Sequence, residues 1–215
     1  MRMNLCAAMA SLCMSAGAFA GPMTLSFGEG YSVEGLGHFS GTMTWSYVSG
    51  TSGTLTISLT NLLTTSAGGK ITGLGFNGPS GGGFSYALAS APNASWLLDT
   101  APVTASPLGS FGFGAALGGD WSGGGSPNGG IVIGDTGLFE FTVSNSDTAA
   151  LAALDAMSFW NPNDEGYFGA IRFKGFDNGG SDKITTELSV VPIPAPAFLA
   201  AGGLLFAALL RRRSK

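Results

Sequence analysis

The sequence predicts a mainly β fold, an antiparallel β-sandwich of jelly-roll style with one short helix. Three features support this prediction. Glycine accounts for 36 of the 215 residues, and glycine favours turns over helix interiors. Hydrophobic residues make up 45% and charged residues 10%, a balance too apolar for intrinsic disorder. Short segments of alternating apolar and polar residues recur between Gly- and Ser-rich turns, as in all-β domains.

The clearest strand pattern lies between residues 43 and 60. Apolar residues occupy every second position from Met43 to Tyr47 and again from Leu55 to Leu59, with Thr or Ser between them. A period of two is typical of half-buried strands. Residues 49–53 form a glycine-containing loop between the two segments, which therefore predict an antiparallel hairpin.

Weaker patterns predict the remaining elements. Further strands are expected at residues 71–77, 110–114, 138–144, 157–160, 168–176 and 184–190. Phe139, Phe141 and Val143 should form the inward row of the third of these strands. This number of strands predicts two sheets.

One helix is predicted at residues 148–156, because Ser146 or Asp147 can cap it and no helix breaker interrupts it. Residues 78–83 and 118–130 are rich in Gly, Ser, Asn and Pro, which is typical of surface loops.

The N-terminus has the layout of a secretory signal peptide. Arg2 precedes an apolar stretch over residues 5–19, and Ala18 and Ala20 provide the small residues that precede a cleavage site. We therefore expect cleavage after Ala20 and export of the rest of the chain. Both cysteines lie within residues 1–20, so the exported chain would have no thiol for a disulfide, a zinc site or a nucleophile.

The C-terminus has the pattern of a membrane anchor. Residues 190–210 carry no charge and are followed by Arg211, Arg212 and Arg213. Prolines in the first part of this segment favour an extended backbone, so the expected transmembrane helix spans only residues 197–210 and is roughly 21 Å long. The basic cluster should remain cytoplasmic while residues 21–189, the body, lie outside.

The segment Val191-Pro192-Ile193-Pro194-Ala195, followed by an apolar helix and an arginine cluster, resembles the VPLPA-CTERM variant of the PEP-CTERM sorting signals. The resemblance covers residues 191–215 and departs from the family pattern at Ile193, where the family has Leu. It implies that an exosortase, a membrane-embedded cysteine protease, recognises and processes the tail. The family occurs in bacteria that make extracellular polysaccharide.

Two body segments, residues 54–61 and 171–183, look like segments of many exported PEP-CTERM passengers, most of which have no assigned activity. The alternative for the tail is a permanent anchor whose prolines act as a spacer.

The body is strongly acidic. It contains four basic residues and all thirteen acidic residues of the chain, which gives it a net charge of −9. This balance disfavours nucleic acid and other anionic partners, since phosphate binding needs a basic face. Acidity alone does not indicate a metal site, because an acidic surface can also serve to keep a protein soluble through repulsion between its copies.

Few residues could carry chemistry. The single histidine, His38, has no nucleophile-elbow motif with it, and one histidine without cysteine cannot build a zinc site. Two pairs of acids in Asn- and Gly-rich loops are candidates for glycoside hydrolysis or for a loosely built Ca²⁺ site: Asp164 with Glu165, and Asp177 with Asp182. Acidic residues in such loops more often accept hydrogen bonds from nearby backbone N–H groups and thereby stabilise a turn.

Trp121 is the candidate glycan contact, because it lies in a glycine-rich loop where an exposed ring is costly unless it binds something or folds back. These observations together predict an exported surface or matrix protein with a structural or glycan-binding role and no cofactor. The alternatives are a polysaccharide-processing enzyme and a permanently anchored surface domain.

Overall fold

The computed structural model describes residues 23–64, 68–119, 121–122 and 126–189, without the side chains of residues 100 and 101. The predicted signal peptide with Ala18 and Ala20, the sorting motif at residues 191–195, the transmembrane helix and the basic tail lie outside the described residues. Within the described residues, no helix has the length and apolar character needed to cross a membrane.

The described chain folds into one antiparallel sheet of ten strands, confirming the mainly β prediction. The strands are β1 Thr24–Ser32, β2 Phe39–Ser46, β3 Ser52–Asn61, β4 Gly68–Phe76, β5 Ser85–Ser90, β6 Trp96–Thr104, β7 Ser110–Leu117, β8 Thr136–Ser144, β9 Gly169–Phe176 and β10 Ser181–Leu188. Their order across the sheet is β5-β8-β3-β2-β1-β10-β9-β4-β7-β6.

The pairing of β1 with β10 joins two groups of five strands. We call β5-β8-β3-β2-β1 the first half and β10-β9-β4-β7-β6 the second half. Phe27 on β1 lies opposite Leu188 on β10, and the register shifts between Glu29 and Ser32. The sequence predicted two sheets, whereas the described strands form a single sheet because the first and last strands pair at its centre.

The two halves face each other across an apolar interior. Phe113 on β7 packs edge-on against Phe141 on β8, with ring centroids 5.2 Å apart, although these strands lie in different halves. Tyr86 on β5 stacks on the same Phe113 ring at 4.3 Å. The sheet therefore curls until its two outer strands come close, and aromatic side chains fill the space between them.

The predicted hairpin is confirmed. β2 and β3 pair antiparallel, with Met43 opposite Ile57 and Trp45 opposite Leu55. All four side chains are buried, as the period of two requires.

The inward row predicted on β8 is also confirmed, because Phe139, Phe141 and Val143 are fully buried. The sequence did not indicate β1, β5 or β6. In β1 the apolar row of Leu25 and Phe27 is interrupted at its next position by Glu29. β6 contains Pro102, which an edge strand can accept, and its pairing with β7 shifts between Thr100 and Val103.

The strand predicted at residues 157–160 is wrong. Ala156–Phe159 forms a 3₁₀ helix, η1, because Asp155 and Ser158 make a reciprocal cap. The Asp155 carboxylate accepts the N–H of Ser158 at 2.9 Å, and the Ser158 hydroxyl accepts the N–H of Asp155 at 3.1 Å.

The predicted helix is shorter than expected. Helix α1 spans Thr148–Ala152 and is capped by Asp147, one of the two predicted capping residues. The Asp147 carboxylate accepts the N–H groups of Ala149 and Ala150 at 2.9 and 3.1 Å.

A second, smaller core, which we call the outer core, lies on the outer face of the second half, the face that points away from the main core. It consists of seven buried residues: Val103, Ala105, Leu108, Phe111, Ala116, Trp121 and Ala170. Ala170 lies on the outer face because its neighbour Ile171 belongs to the main core. Strands β6, β7 and β9 therefore each contribute residues to both cores.

Trp121 belongs to this outer core, so its prediction as an exposed glycan contact is wrong. Its side chain is only 1% exposed, and its indole N–H donates to the carbonyl of Leu74 at 3.1 Å. A Cβ at Gly73 would lie 3.1 Å from the indole, so the absence of a side chain there makes room for the ring. The Trp121 ring therefore packs onto β4 instead of facing a ligand.

Replacing Trp121 with Ala should destabilise the protein by about 3–5 kcal/mol, because it leaves a cavity over β4. Trp121→Phe should cost clearly less, since a ring remains and mainly the hydrogen bond to Leu74 is lost. Thermal unfolding followed by near-ultraviolet circular dichroism measures both changes. Equal melting temperatures for wild type and Trp121→Ala would contradict the assignment of this ring to a core.

Candidate functional site

One concave surface lies where β10 ends. We call it the end groove. It has a volume of about 420 Å³ and is lined by Met157, Trp160, Phe168, Glu187 and Leu188. The lining combines η1, the loop that leads to β9, and the last two residues of β10.

Two parallel aromatic rings form the wall of the end groove. Trp160 and Phe168 stack with centroids 5.7 Å apart and an interplanar angle of 11°. Trp160 is buried and also packs against Phe27 at 5.3 Å, so the main core holds it in place. Phe168 is only half-buried and is therefore the ring that a bound molecule could reach.

The lining of the end groove includes exposed apolar side chains and one carboxylate. Met157 is 41% exposed and Leu188 is 43% exposed, so both apolar side chains are accessible to a bound molecule. Glu187 is the one ionisable residue in the lining, and its carboxylate can accept hydrogen bonds from hydroxyl groups. The surface therefore suits a ligand with both an apolar face and hydroxyl groups.

A smaller pocket lies at the opposite end of the sheet, where β4 begins and β9 ends. We call it the glycine pocket. Its volume is about 210 Å³, and its lining comprises Gly68, Gly69, Lys70, Val132, Ile133 and Gly175. Val132 and Ile133 are 40% and 37% exposed.

The acids proposed from sequence lie at both ends of the sheet. Asp164 and Glu165 are exposed in the loop before β9, and Asp177 is exposed in the turn after it. The side-chain carbonyl of Asn163 accepts the N–H of Glu165 at 3.1 Å and that of Tyr167 at 2.9 Å, which is turn chemistry. In the part of the chain that the structure describes, no cluster of three His, Cys, Asp or Glu residues could hold a metal ion.

Asp182, the fourth of these acids, is buried and organises the loop between β1 and β2. Its carboxylate accepts the hydroxyl of Ser32 at 2.7 Å and the N–H groups of Glu34, Leu36 and Gly37 at 2.9 Å each. Burial by itself would raise the pKa of Asp182, but these hydrogen bonds lower that pKa below its ordinary value. Because both oxygens are engaged by donors, this geometry does not support Asp182 as a calcium ligand.

His38 lies on the surface beside the same loop. Its Nδ1 is hydrogen-bonded to the carboxylate of Glu29, and both side chains are substantially exposed. An exposed pair of this kind contributes little to stability.

Comparison with known proteins finds no matching protein-family model, no matching curated protein and no matching solved structure.

Sequence reasoning missed the end groove. Trp160 was one of four tryptophans, and no local signal distinguished it from the others. The sequence pattern predicts a strand for Met157 and Trp160, whereas in the structure the turn of η1 places both residues beside Leu188 in the groove lining. The Asp155–Ser158 spacing was the available signal, because it is a short capping motif.

Replacing Asp182 with Asn should destabilise the protein by about 2–3 kcal/mol at neutral pH, because hydrogen bonds to a charged acceptor are lost. The pKa of Asp182 is lower in the folded state, so its contribution is present above the ordinary pKa of Asp and is lost as the pH falls through the folded value. The difference in melting temperature between wild type and variant should therefore shrink below about pH 4.

Asp177→Asn is the matched control, since Asp177 is exposed in the turn before β10 and should change stability by less than about 0.5 kcal/mol. A melting-temperature difference for Asp182→Asn that stays constant down to acid pH would contradict the role given to its charge.

Proposed function

We propose that this chain is an exported bacterial surface or extracellular-matrix protein whose body binds a glycan in the end groove. We further propose that its tail is a sorting signal recognised by an exosortase-type protease. The stacked Trp160–Phe168 pair in a groove with one carboxylate is the observation that carries the binding proposal. The VPLPA-like segment supports the sorting proposal.

A sugar ring has an apolar face of C–H groups and an edge of hydroxyl groups. The Phe168 ring offers a flat surface for the apolar face, and Trp160 behind it keeps that ring in a fixed orientation. Glu187 can accept hydrogen bonds from the hydroxyl edge. Met157 and Leu188 would shield the contact from water.

We also propose that the two halves of the sheet act as the layers of a sandwich that is closed along one side by β1 and β10. The Phe113–Phe141 contact between the layers supports this description. Such a body would be rigid, which suits a structural component of a matrix.

The end groove and the tail are neighbours in the chain. Leu188 lines the groove, and residues 190–215 follow directly after Ser189. A tail that anchors the protein would therefore keep the groove at the membrane-proximal end of the body. Processing of the tail would remove that constraint and leave the groove accessible to matrix polymers.

Replacing Phe168 with Ala should weaken glycan binding about tenfold, because the exposed stacking surface is lost. Affinity electrophoresis of the full-length protein in gels containing neutral polysaccharides measures this change. Glu187→Gln should also weaken binding, and because Glu187 is exposed, the fold should be unaffected.

Tyr31→Ala is the matched control, since Tyr31 is 55% exposed and does not line the end groove. If none of the polysaccharides retains the wild-type protein, the binding proposal is wrong. Release of reducing sugars that depends on Asp164 or Glu165 would replace it with a polysaccharide-processing enzyme.

Replacing residues 191–195 with an equally apolar Leu/Ala segment should preserve membrane insertion but block processing. Insertion depends on apolarity and flanking charge, whereas a protease must also recognise the backbone shape that the prolines impose. Mass spectrometry of the protein from its source organism should show a native chain without Arg211–Arg213 and a variant that retains them. If the native chain keeps its whole tail in a host with an active exosortase, the tail acts as a permanent anchor and the sorting proposal is wrong.

A further inference from the structure

The end groove lies at an open end of the apolar interior. Leu188 on β10 lies opposite Phe27 on β1, and Phe27 belongs to the main core. Side chains of directly opposed residues point to the same face of a sheet, so Leu188 faces the interior side. Even so, Leu188 is 43% exposed, and Met157 in the same groove is 41% exposed. Within the described residues, the interior therefore ends here in an accessible apolar surface.

The chain leaves the sheet directly beside this groove. β10 ends at Leu188, and the N–H of Ser189 still donates to the carbonyl of Ser26 on β1 at 3.0 Å. This hydrogen bond holds Ser189 at the edge of the groove, so the part of the chain that follows starts there. Five residues span roughly 17 Å when they are extended, which is long enough to reach across the groove.

The five residues that follow Ser189 are all apolar. Residues 190–194, which we call the docking segment, have the sequence Val-Val-Pro-Ile-Pro and carry no charged or hydrogen-bonding side chain. Prolines favour an extended, polyproline-like backbone, because each proline fixes its own φ angle and restricts the residue before it. The sequence therefore provides an apolar segment with limited backbone freedom at the edge of an apolar groove.

The wall of the end groove is of the kind that receives proline-rich segments. Grooves lined by aromatic rings bind such segments because a preformed backbone loses little entropy on binding. Trp160 and Phe168 stack to form the wall, and the half-buried Phe168 is the ring within reach. Met157 and Leu188 add apolar area on which the valines can pack. Glu187 is exposed and can keep its carboxylate in water.

Attachment to the same chain makes even a weak contact effective. A short linker gives a tethered segment an effective concentration in the millimolar range. The docking segment follows Ser189 without any linker, and Ser189 is held by its hydrogen bond to Ser26. An intrinsic dissociation constant below about 1 mM would therefore suffice to fill the groove most of the time.

We infer that the docking segment occupies the end groove of the unprocessed protein and keeps a glycan out of it. The inference rests on the proposed function, because the glycan is the ligand with which the segment would compete. A groove of about 420 Å³ has the volume of a site for one small ligand, so the segment and a sugar exclude each other. Coupling of this kind is reciprocal, so a glycan in the groove would release residues 191–194 for recognition by the exosortase.

Disulfide trapping in the full-length protein tests the docking itself. Both native cysteines lie within residues 1–20, so two introduced thiols would be the pair available in the exported chain. Ile193→Cys combined with Met157→Cys should form a disulfide rapidly on mild oxidation, because docking brings the two positions within bonding distance. The protein is kept in isolated membranes of a host without an exosortase, so the tail stays in place and no detergent competes for the groove.

Ile193→Cys combined with Ser26→Cys is the matched control. Ser26 is bonded to Ser189, but it lies between the core residues Leu25 and Phe27 and therefore faces the outer side of the sheet. A tail that moves freely would reach either thiol, whereas a docked tail should react several times faster with the thiol at position 157. A melting temperature equal to that of the wild type shows that each reduced variant is folded.

Equal rates of disulfide formation for the two pairs would overturn the inference. A disulfide that joins two chains, in place of one within a chain, would assign the groove to the tail of a second copy and would overturn it as well.

Affinity electrophoresis of the full-length protein in gels containing a soluble, neutral β-glucan tests the competition. The double variant Pro192→Ser/Pro194→Ser should loosen the docking segment and strengthen retention. If the segment fills the groove about 80% of the time, its loss would strengthen glycan binding about fivefold. Pro196→Ser is the matched control, because Pro196 lies beyond the docking segment, and this change should leave retention as it is in the wild type.

The two experiments separate failure of this inference from failure of the proposed function. If Phe168→Ala weakens retention on the β-glucan but the double proline variant does not strengthen it, the proposed function stands and the competition is wrong. If neither the wild type nor the double proline variant is retained, the groove is not a glycan site and the competition is wrong with it. The disulfide rates decide in either case whether the docking segment lies in the groove.

Discussion

The pairing of β1 with β10 is the interaction on which the rest of the architecture depends. It joins the first and last strands of the described chain at the centre of the sheet, with Phe27 opposite Leu188. Each half alone would expose one apolar face, and joining the halves along one side lets the sheet curl around a shared interior. The end groove forms where this pair ends, because Leu188 lines the groove and the ring of Phe27 packs against Trp160 in its wall.

The outer core shows how a glycine-rich chain can bury large rings on both faces of a sheet. Gly73 leaves space above β4, and Trp121 fills it. The carbonyl of Trp121 then accepts a hydrogen bond from Arg172, so Trp121 is held by packing and by a charged donor together. Trp121 is therefore part of the scaffold, and the end groove and the glycine pocket lie at opposite ends of the sheet.

Charge is distributed unevenly over this acidic body. Asp182 is buried at one end, where it serves the fold by holding the loop between β1 and β2. Lys70 and Lys174 lie on the outer face near the same end, beside the glycine pocket. The end groove at the other end has Glu187 as its one ionisable lining residue.

The sequence by itself determined the mainly β character, the β2–β3 hairpin, the buried row of β8 and the cap at Asp147, because each depends on local periodicity or on neighbouring residues. Only the tertiary structure decided the single sheet and the burial of Trp121. It also decided which residues line the end groove. These features join residues far apart in the chain, and their stability comes from contacts across strands, which no local pattern encodes.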